Sequence, residues 1–136
     1  MLFRSVVCTC TASPEPIVAL GDLAPGAHVN AVGSSGTWAR ELEADVVAAA
    51  SLFVDRREST VNESGDYLEA VAERGIGPEH ILAELGELLV GAHPGRRSDE
   101  ELTVFKSLGL AAEDLAAAAL CVEVAREHGV GVEVAF

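Results

Sequence analysis

Apolar and polar positions divide the chain into short β-type runs separated by helical stretches. Ser5-Val6-Val7-Cys8-Thr9-Cys10-Thr11 is rich in β-formers and stops at Ala12-Ser13-Pro14-Glu15-Pro16, where two prolines continue neither helix nor strand. His28 to Val32 predicts a second strand, entered from the turn Pro25-Gly26 and left through Gly33-Ser34-Ser35-Gly36. Between Arg40 and Ala50 the apolar positions Leu42, Val46, Ala49 and Ala50 recur at helical spacing, with Glu41 and Glu43 early, where a helix dipole favours anions. A helix is therefore expected to join the second strand to a third, Ser51 to Asp55. That third run is nearly all apolar, as in a parallel strand covered on both faces, and the strand–helix–strand order implies a right-handed crossover.

From Arg56 to Arg74 the pattern is mixed, with a helical stretch around Tyr67 to Glu73. Gly77-Pro78 predicts a helix start, with Ile81, Leu82, Leu85, Leu88 and Leu89 on one face and an end near Gly91. Pro94 to Asp99 reads as a loop. Leu102 to Phe105 predicts a strand, and Ala111, Leu115, Ala118, Val122 and Ala125 follow the helical period, with Glu113 and Asp114 early, Arg126 and His128 late and Gly129 as the cap. Gly131 to Phe136 is expected to form a terminal strand. The succession predicts one α/β domain over residues 1–136, three-layered around a mostly parallel sheet. Two of its strands end in small-residue turns, at Gly33-Ser34-Ser35 and at Ser107-Leu108-Gly109. In an open α/β sheet such turns lie at the carboxyl ends of strands, where backbone N–H groups can meet a ligand.

Charge narrows the partners. The 136 residues hold 22 Asp and Glu against 9 Lys and Arg, a formal net charge of −13 spread along the chain. Nucleic acid and anionic membranes would be repelled, whereas a small phosphate-bearing cofactor can be held by local N–H groups or one Arg. No run reaches the ~18 apolar residues of a membrane span. Cys8, Cys10 and Cys121 make no disulfide framework and suit a reducing compartment, so a cytoplasmic location is expected. Cys8 and Cys10 would share a strand face, and buried packing is favoured there over a metal or redox pair.

Other polar residues read as structural. His28, beside a Pro-Gly turn, is expected to be a hydrogen-bonding residue of the strand start. Glu84 and Glu87 are favoured as a solvated or cap-supporting pair. Lys106 interrupts an apolar strand just before a turn, and pairing with an acidic neighbour such as Asp55 weighs at least as much as contact with a cofactor. Arg96 and Arg97 are expected to be a solvated loop pair, and Asp66 and Glu63 to organise the loop after the third strand.

These segments resemble the ornithine cyclodeaminase / mu-crystallin family. The anchors are Pro25-Gly26-Ala27-His28-Val29-Asn30-Ala31-Val32-Gly33, Arg40-Glu41-Leu42, Phe53-Val54-Asp55, Glu63-Ser64-Gly65-Asp66, Glu84-Leu85-Gly86-Glu87 and Phe105-Lys106-Ser107-Leu108-Gly109-Leu110-Ala111, in order over nearly the whole chain. The resemblance implies the latter part of a Rossmann-like domain binding NAD or NADP, in a family that adds a dimerising substrate domain. A Rossmann domain also needs a Gly-x-Gly-x-x-Gly/Ala turn, with a ribose-reading residue about 20 positions on, and the sequence contains no such turn. The Arg and Lys that grip a substrate carboxylate in the family are absent too. The chain is thus expected to be a C-terminal fragment without the first nucleotide-binding half, with Met1 to Arg4 as an added start.

By position, the resemblance implies cofactor contacts from Thr9, Val32, Gly33, Ser34, Ser35 and Ser107, and a substrate contact from Leu108. Ser107 is also placed to cap the following helix or to face the crevice. Cyclodeaminating members carry an Asp at the position of Ser35, and a Lys at that of Ala39. A serine hydroxyl cannot hold or release that proton near neutral pH, so the resemblance implies reduction of an amino acid's imine or ketimine over ornithine cyclisation, with no catalytic side chain and no metal supplied here. The alternative is a non-enzymatic module binding a small ligand. Intact relatives are expected to be homodimers through a domain this chain does not carry, and the chain alone to have weak or no activity.

Overall fold

A computed structural model describes residues 6–135; the expectations for Met1 to Arg4, Ser5 and Phe136 lie outside them. Five short strands, β1 (Val6–Thr9), β2 (His28–Ala31), β3 (Ser51–Val54), β4 (Ile81–Glu84) and β5 (Thr103–Lys106), form one sheet in the order β1-β2-β5-β3-β4. Every pairing is parallel. The last strand in sequence is therefore inserted between β2 and β3, so the predicted crossover from β2 to β3 spans a strand that forms later.

Cross-strand register explains the core. Val7, Val29, Val104, Leu52 and Ile81 stand in one row across all five strands, and all are buried. Helices α1 (Ala44–Ala49) and α3 (Gly65–Arg74) pack on each other, and their Ala44, Val46, Val47, Tyr67 and Ala70 join that row in the core. Neighbouring rows point the other way: Val6 and Cys8 are exposed, His28 and Asn30 half-buried, and Phe53 is met edge-on by the His93 ring at 5.7 Å. The alternation follows from the two-residue period of a strand.

Local chemistry sets the helix ends. Ser64 accepts from the Tyr67 N–H at 3.3 Å to start α3, and Gly75 closes it at φ 68°. Gly65 is required by proximity, since a Cβ there would lie 2.2 Å from the Ala39 carbonyl oxygen. A further helix, α2 (Arg57–Glu63), occupies the stretch read as mixed.

Three sequence expectations are corrected. The helix over 77–91 is a 3-10 turn (Pro78–His80), strand β4 and a short helix α4 (Leu85–Leu89). A brief apolar run fits either period, and here the free edge of β3 recruits Ile81 to Glu84 as a strand. Helix α1 begins at Ala44 rather than Arg40, which leaves Glu41 outside the helix and wholly buried. No strand forms over residues 131–135, and the terminal helix α5 (Ala111–His128), which does end at Gly129 as expected, exposes its apolar stripe: Leu115 is 72% exposed.

Candidate functional site

The two turns singled out in the sequence lie side by side because β2 and β5 are adjacent and parallel. Ser107 N–H donates to Ala31 O at 3.1 Å, carrying the pairing one residue past the strand ends. Beyond β1 and β2 the chain encloses an open crevice of about 280 Å³ lined by Thr11, Ala12, Gly33, Ser34, Ser35, Gly36, Trp38 and Ala39. That is just below the ~300–1,000 Å³ of pockets for drug-sized ligands, room for one ring system. Its wall is small residues, with the chain's single Trp 70% exposed on the lip.

Buried charge holds this wall in place. Lys106 ends β5 at 2% exposure, and its ammonium lies 3.0 Å from Asp66 Oδ2 and donates to the carbonyls of Gly33 (2.6 Å) and Ser34 (3.4 Å). Ser34, bound at both ends, adopts the left-handed conformation at φ 51°, and its hydroxyl donates to Ser13 O at 3.2 Å. Asp66 Oδ1 accepts the N–H groups of Glu41 and Leu42 at 2.7 and 2.8 Å. Glu41 in turn accepts from the Thr9 hydroxyl at 2.7 Å and from the Thr11 N–H at 2.5 Å. One connected network thus fixes the ends of β1, β2 and β5. It requires glycine at position 33, where a Cβ would stand 2.2 Å from Thr11 O and 2.4 Å from Glu41 Oε1.

The partner expected for Lys106 is corrected by this geometry: it pairs with Asp66, while Asp55 serves the neighbouring turn. Asp55 Oδ2 accepts from Ser107 Oγ (3.1 Å) and from the Leu108 and Gly109 N–H groups (both 2.7 Å), and Oδ1 from Arg56 N–H (2.7 Å). Ser107 is consequently committed to Asp55, and helix α5 starts later, with Leu110 at its N-cap, so the helix-capping role for Ser107 does not occur. Asp66 organises a longer reach than the loop assigned to it.

The remaining expected site residues distribute plainly. Thr9 is buried with its hydroxyl on Glu41; Gly33, Ser34 and Ser35 line the crevice; Val32, Ser107 and Leu108 are not among its lining residues, Val32 being exposed, Ser107 buried and Leu108 half-buried. Missed in the sequence were the network roles of Glu41, Asp66 and Thr11 and the lip position of Trp38. A carboxylate in an apolar helical frame, Glu41 beside Leu42, was the available signal.

Other residues take structural places. His28 bonds Thr103 Oγ1 through Nδ1 (2.7 Å) and Asn30 Oδ1 through Nε2 (3.1 Å). Glu87 accepts the Glu84 N–H at 2.7 Å and meets Arg57 at 2.9 Å; the first of these bonds holds its carboxyl below the usual range. Arg96 corrects the solvated-pair reading, since its guanidinium donates to Gly26 O (3.1 Å), Ala27 O (3.3 Å), Glu101 O (2.6 Å) and Thr103 Oγ1 (2.8 Å). Cys8 and Cys10 are exposed rather than packed, because β1 is an edge strand and Cys8 lies on its uncovered face. Among the described residues no cluster of three or more His, Cys, Asp or Glu is arranged to hold a metal, and no helix is long and apolar enough to cross a membrane.

A parallel open sheet with ligand-sized space at the carboxyl ends of its strands defines an α/β domain of the dinucleotide-binding class: the latter part of a Rossmann-like NAD(P)-binding fold. Comparison with known proteins agrees. The chain belongs to the ornithine cyclodeaminase/mu-crystallin family, whose sequence profile matches residues 4–129. It is 47% identical over 115 residues to the ketimine reductase mu-crystallin of Mus musculus, covering 85% of this chain and 34% of that protein. Against the Δ1-pyrroline-2-carboxylate reductase of Thermococcus litoralis, solved with NADH and L-proline, identity is 43% and the TM-score 0.85, over 95% of this chain and 40% of that one. The iminosuccinate reductase of Paracoccus denitrificans, solved with NAD+, gives 32% identity and a TM-score of 0.80 over 96% and 40% of the two chains. The chain therefore spans between a third and two fifths of the length of these relatives.

Proposed function

We propose that this chain supplies the nicotinamide side of the active site in an NAD(P)-dependent reductase acting on the imine of an amino acid. The observation that carries this reading is the crevice wall of Gly33, Ser34, Ser35 and Gly36, a floor without bulky side chains held rigid by the Lys106 network. A flat ring can lie against such backbone, and N–H and C=O groups there can meet a carboxamide. The relatives named with ketimine, pyrroline carboxylate and iminosuccinate reduction point the same way. When bound, the nicotinamide supplies the hydride.

Each residue of the chain has a limited task in this reading. Gly33 and Ser34 present backbone to the ring, Val32 and Ser35 border it, and Thr9 sits behind it, holding Glu41. Leu108 faces the substrate with its N–H retained by Asp55, and Ser107 orders that turn rather than touching ligand freely. Ser35 offers a hydroxyl and no titratable proton near neutral pH, which favours reduction over cyclodeamination. Trp38 on the lip can close over the ring. We further propose that the chain works in the cytoplasm, consistent with its three free cysteines, and that the assembled enzyme pairs as a homodimer through another domain. The archaeal alanine dehydrogenase relative is described as a dimer with bound NAD.

The chain's single Trp makes the reading testable. NADH seated in the crevice should quench Trp38 emission, and Gly33→Val should abolish that quenching. Unaltered Trp38 emission at millimolar NADH would refute the assignment. Turnover of NADH with Δ1-pyrroline-2-carboxylate by the purified chain is expected to be weak or absent, because the phosphate-binding turn and the carboxylate-gripping Arg and Lys are not among its residues.

A further inference from the structure

We infer that Glu41 makes this crevice prefer the cationic, oxidised nicotinamide ring over the neutral, reduced one. The inference rests on the reading of the crevice as a nicotinamide site. Glu41 is completely buried, and its Oε1 lies so close to Gly33 that a methyl group on that residue would overlap it at 2.4 Å. Both of its oxygens accept hydrogen bonds, one from the Thr9 hydroxyl and one from the Thr11 N–H, the pattern of a carboxylate. Both donors are neutral, and among the described residues no cationic side chain pairs with it. Lys106 is the nearby positive charge, but Asp66 matches it at 3.0 Å. Two carboxylates against one ammonium leave one net negative charge inside the wall of the crevice.

A fixed charge in a poorly solvated wall acts on a ligand more strongly than one in water. The oxidised ring carries a positive charge that the reduced ring lacks, while the rest of the ligand is the same in both. Glu41 thus acts on the difference between the two forms. By linkage, a site that binds the oxidised form more tightly shifts the equilibrium between the bound pairs toward oxidised ring and amine, while the equilibrium in solution is unchanged. Glu41 is a positioning and field-setting residue in this account, since Gly33 and Thr11 stand between it and the ligand.

The test is titration of the full chain with oxidised and with reduced nicotinamide mononucleotide, followed by the amide NMR signals of Gly33, Ser35 and Gly36. The oxidised form should bind more tightly, and the preference should persist at about 0.5 M salt, where the diffuse field of the acidic surface is screened but a buried charge is not. Glu41→Gln, which keeps the shape, should cut the ratio of affinities about tenfold, the scale of one charge at roughly 10 Å in a medium of effective dielectric about 20. Glu127→Gln, which removes one exposed charge on α5, should leave the ratio unchanged. Binding with equal affinities, with a preference lost in salt, or with a ratio indifferent to Glu41→Gln overturns the inference and leaves the crevice assignment standing. Absence of shifts at the three amides with either form overturns both. Should Glu41→Gln fail to fold, the salt series on the unaltered chain decides.

Discussion

At position 106 a lysine stands where the strand pattern asks for an apolar residue, and its cost is met by the company it keeps. Replacing it with Met leaves the buried Asp66 carboxyl with only backbone donors, which should lower unfolding free energy by about 3–5 kcal/mol in urea titrations. Gly33→Ala is expected to cost about 1–3 kcal/mol by overpacking, since Thr11 O and Glu41 Oε1 both occupy the space a methyl group needs. Tyr67 gives a spectroscopic check on the same core. Burial pushes its phenol above the ordinary value of 10.0, with the Glu79 charge adding to the effect. The folded state therefore favours the neutral phenol, and the stability it contributes is present below pH 10 and lost as pH rises through the folded value. Phenolate absorbance of the chain's only Tyr should appear later in the native protein than in urea. Among the described residues the Tyr67 hydroxyl has no hydrogen-bond partner, so Tyr67→Phe should be neutral or slightly stabilising.

Elements differ in how far their own sequence decides them. β2 turns Val29 and Ala31, and β5 turns Val104, into the core shared with α1 and α3, and each strand is paired on both edges. α5 is regular in sequence, rich in alanine and correctly capped, yet none of its residues is buried. An unpacked helix is held only by its own hydrogen bonds. Amide exchange in α5 should therefore be orders of magnitude faster than in β2 and β5, and truncation after Gly109 should leave the urea midpoint nearly unchanged. β4 shows the converse. Ile81 to Glu84 reads as part of a helix by spacing, and it is a strand because β3 offers it an edge and the Arg57 guanidinium bonds the carbonyls of Ile81 and Leu82.

Over the whole molecule, acidity sets the pH response. The carboxyls of Asp45, Glu87 and Glu101 are all held below their ordinary range, chiefly by the Arg74 side chain, by the Glu84 N–H and by the Arg97 N–H respectively. Such groups contribute stability above the ordinary carboxylate values, and it is lost as pH falls through their folded values. The net charge of −13 opposes compactness at neutral pH. The urea midpoint should thus rise with added salt at pH 7 and fall steeply on acidification below about pH 4. Glu101→Gln should flatten that acid limb.

The sequence by itself determined the α/β alternation, four of the five strands, the helix end at Gly129 and the two small-residue turns, because these depend on neighbours a few positions away. It also carried the family, through ordered motifs such as Phe105-Lys106-Ser107-Leu108-Gly109. Only the tertiary structure decided that β5 enters between β2 and β3, that Ile81 to Glu84 is a strand, and that Lys106 pairs with Asp66 rather than Asp55. It alone placed Glu41, 32 residues from Thr9 in sequence, against Gly33. A strand edge, a buried partner and a wall behind a turn are supplied by residues far along the chain, and no local periodicity records which of them will arrive.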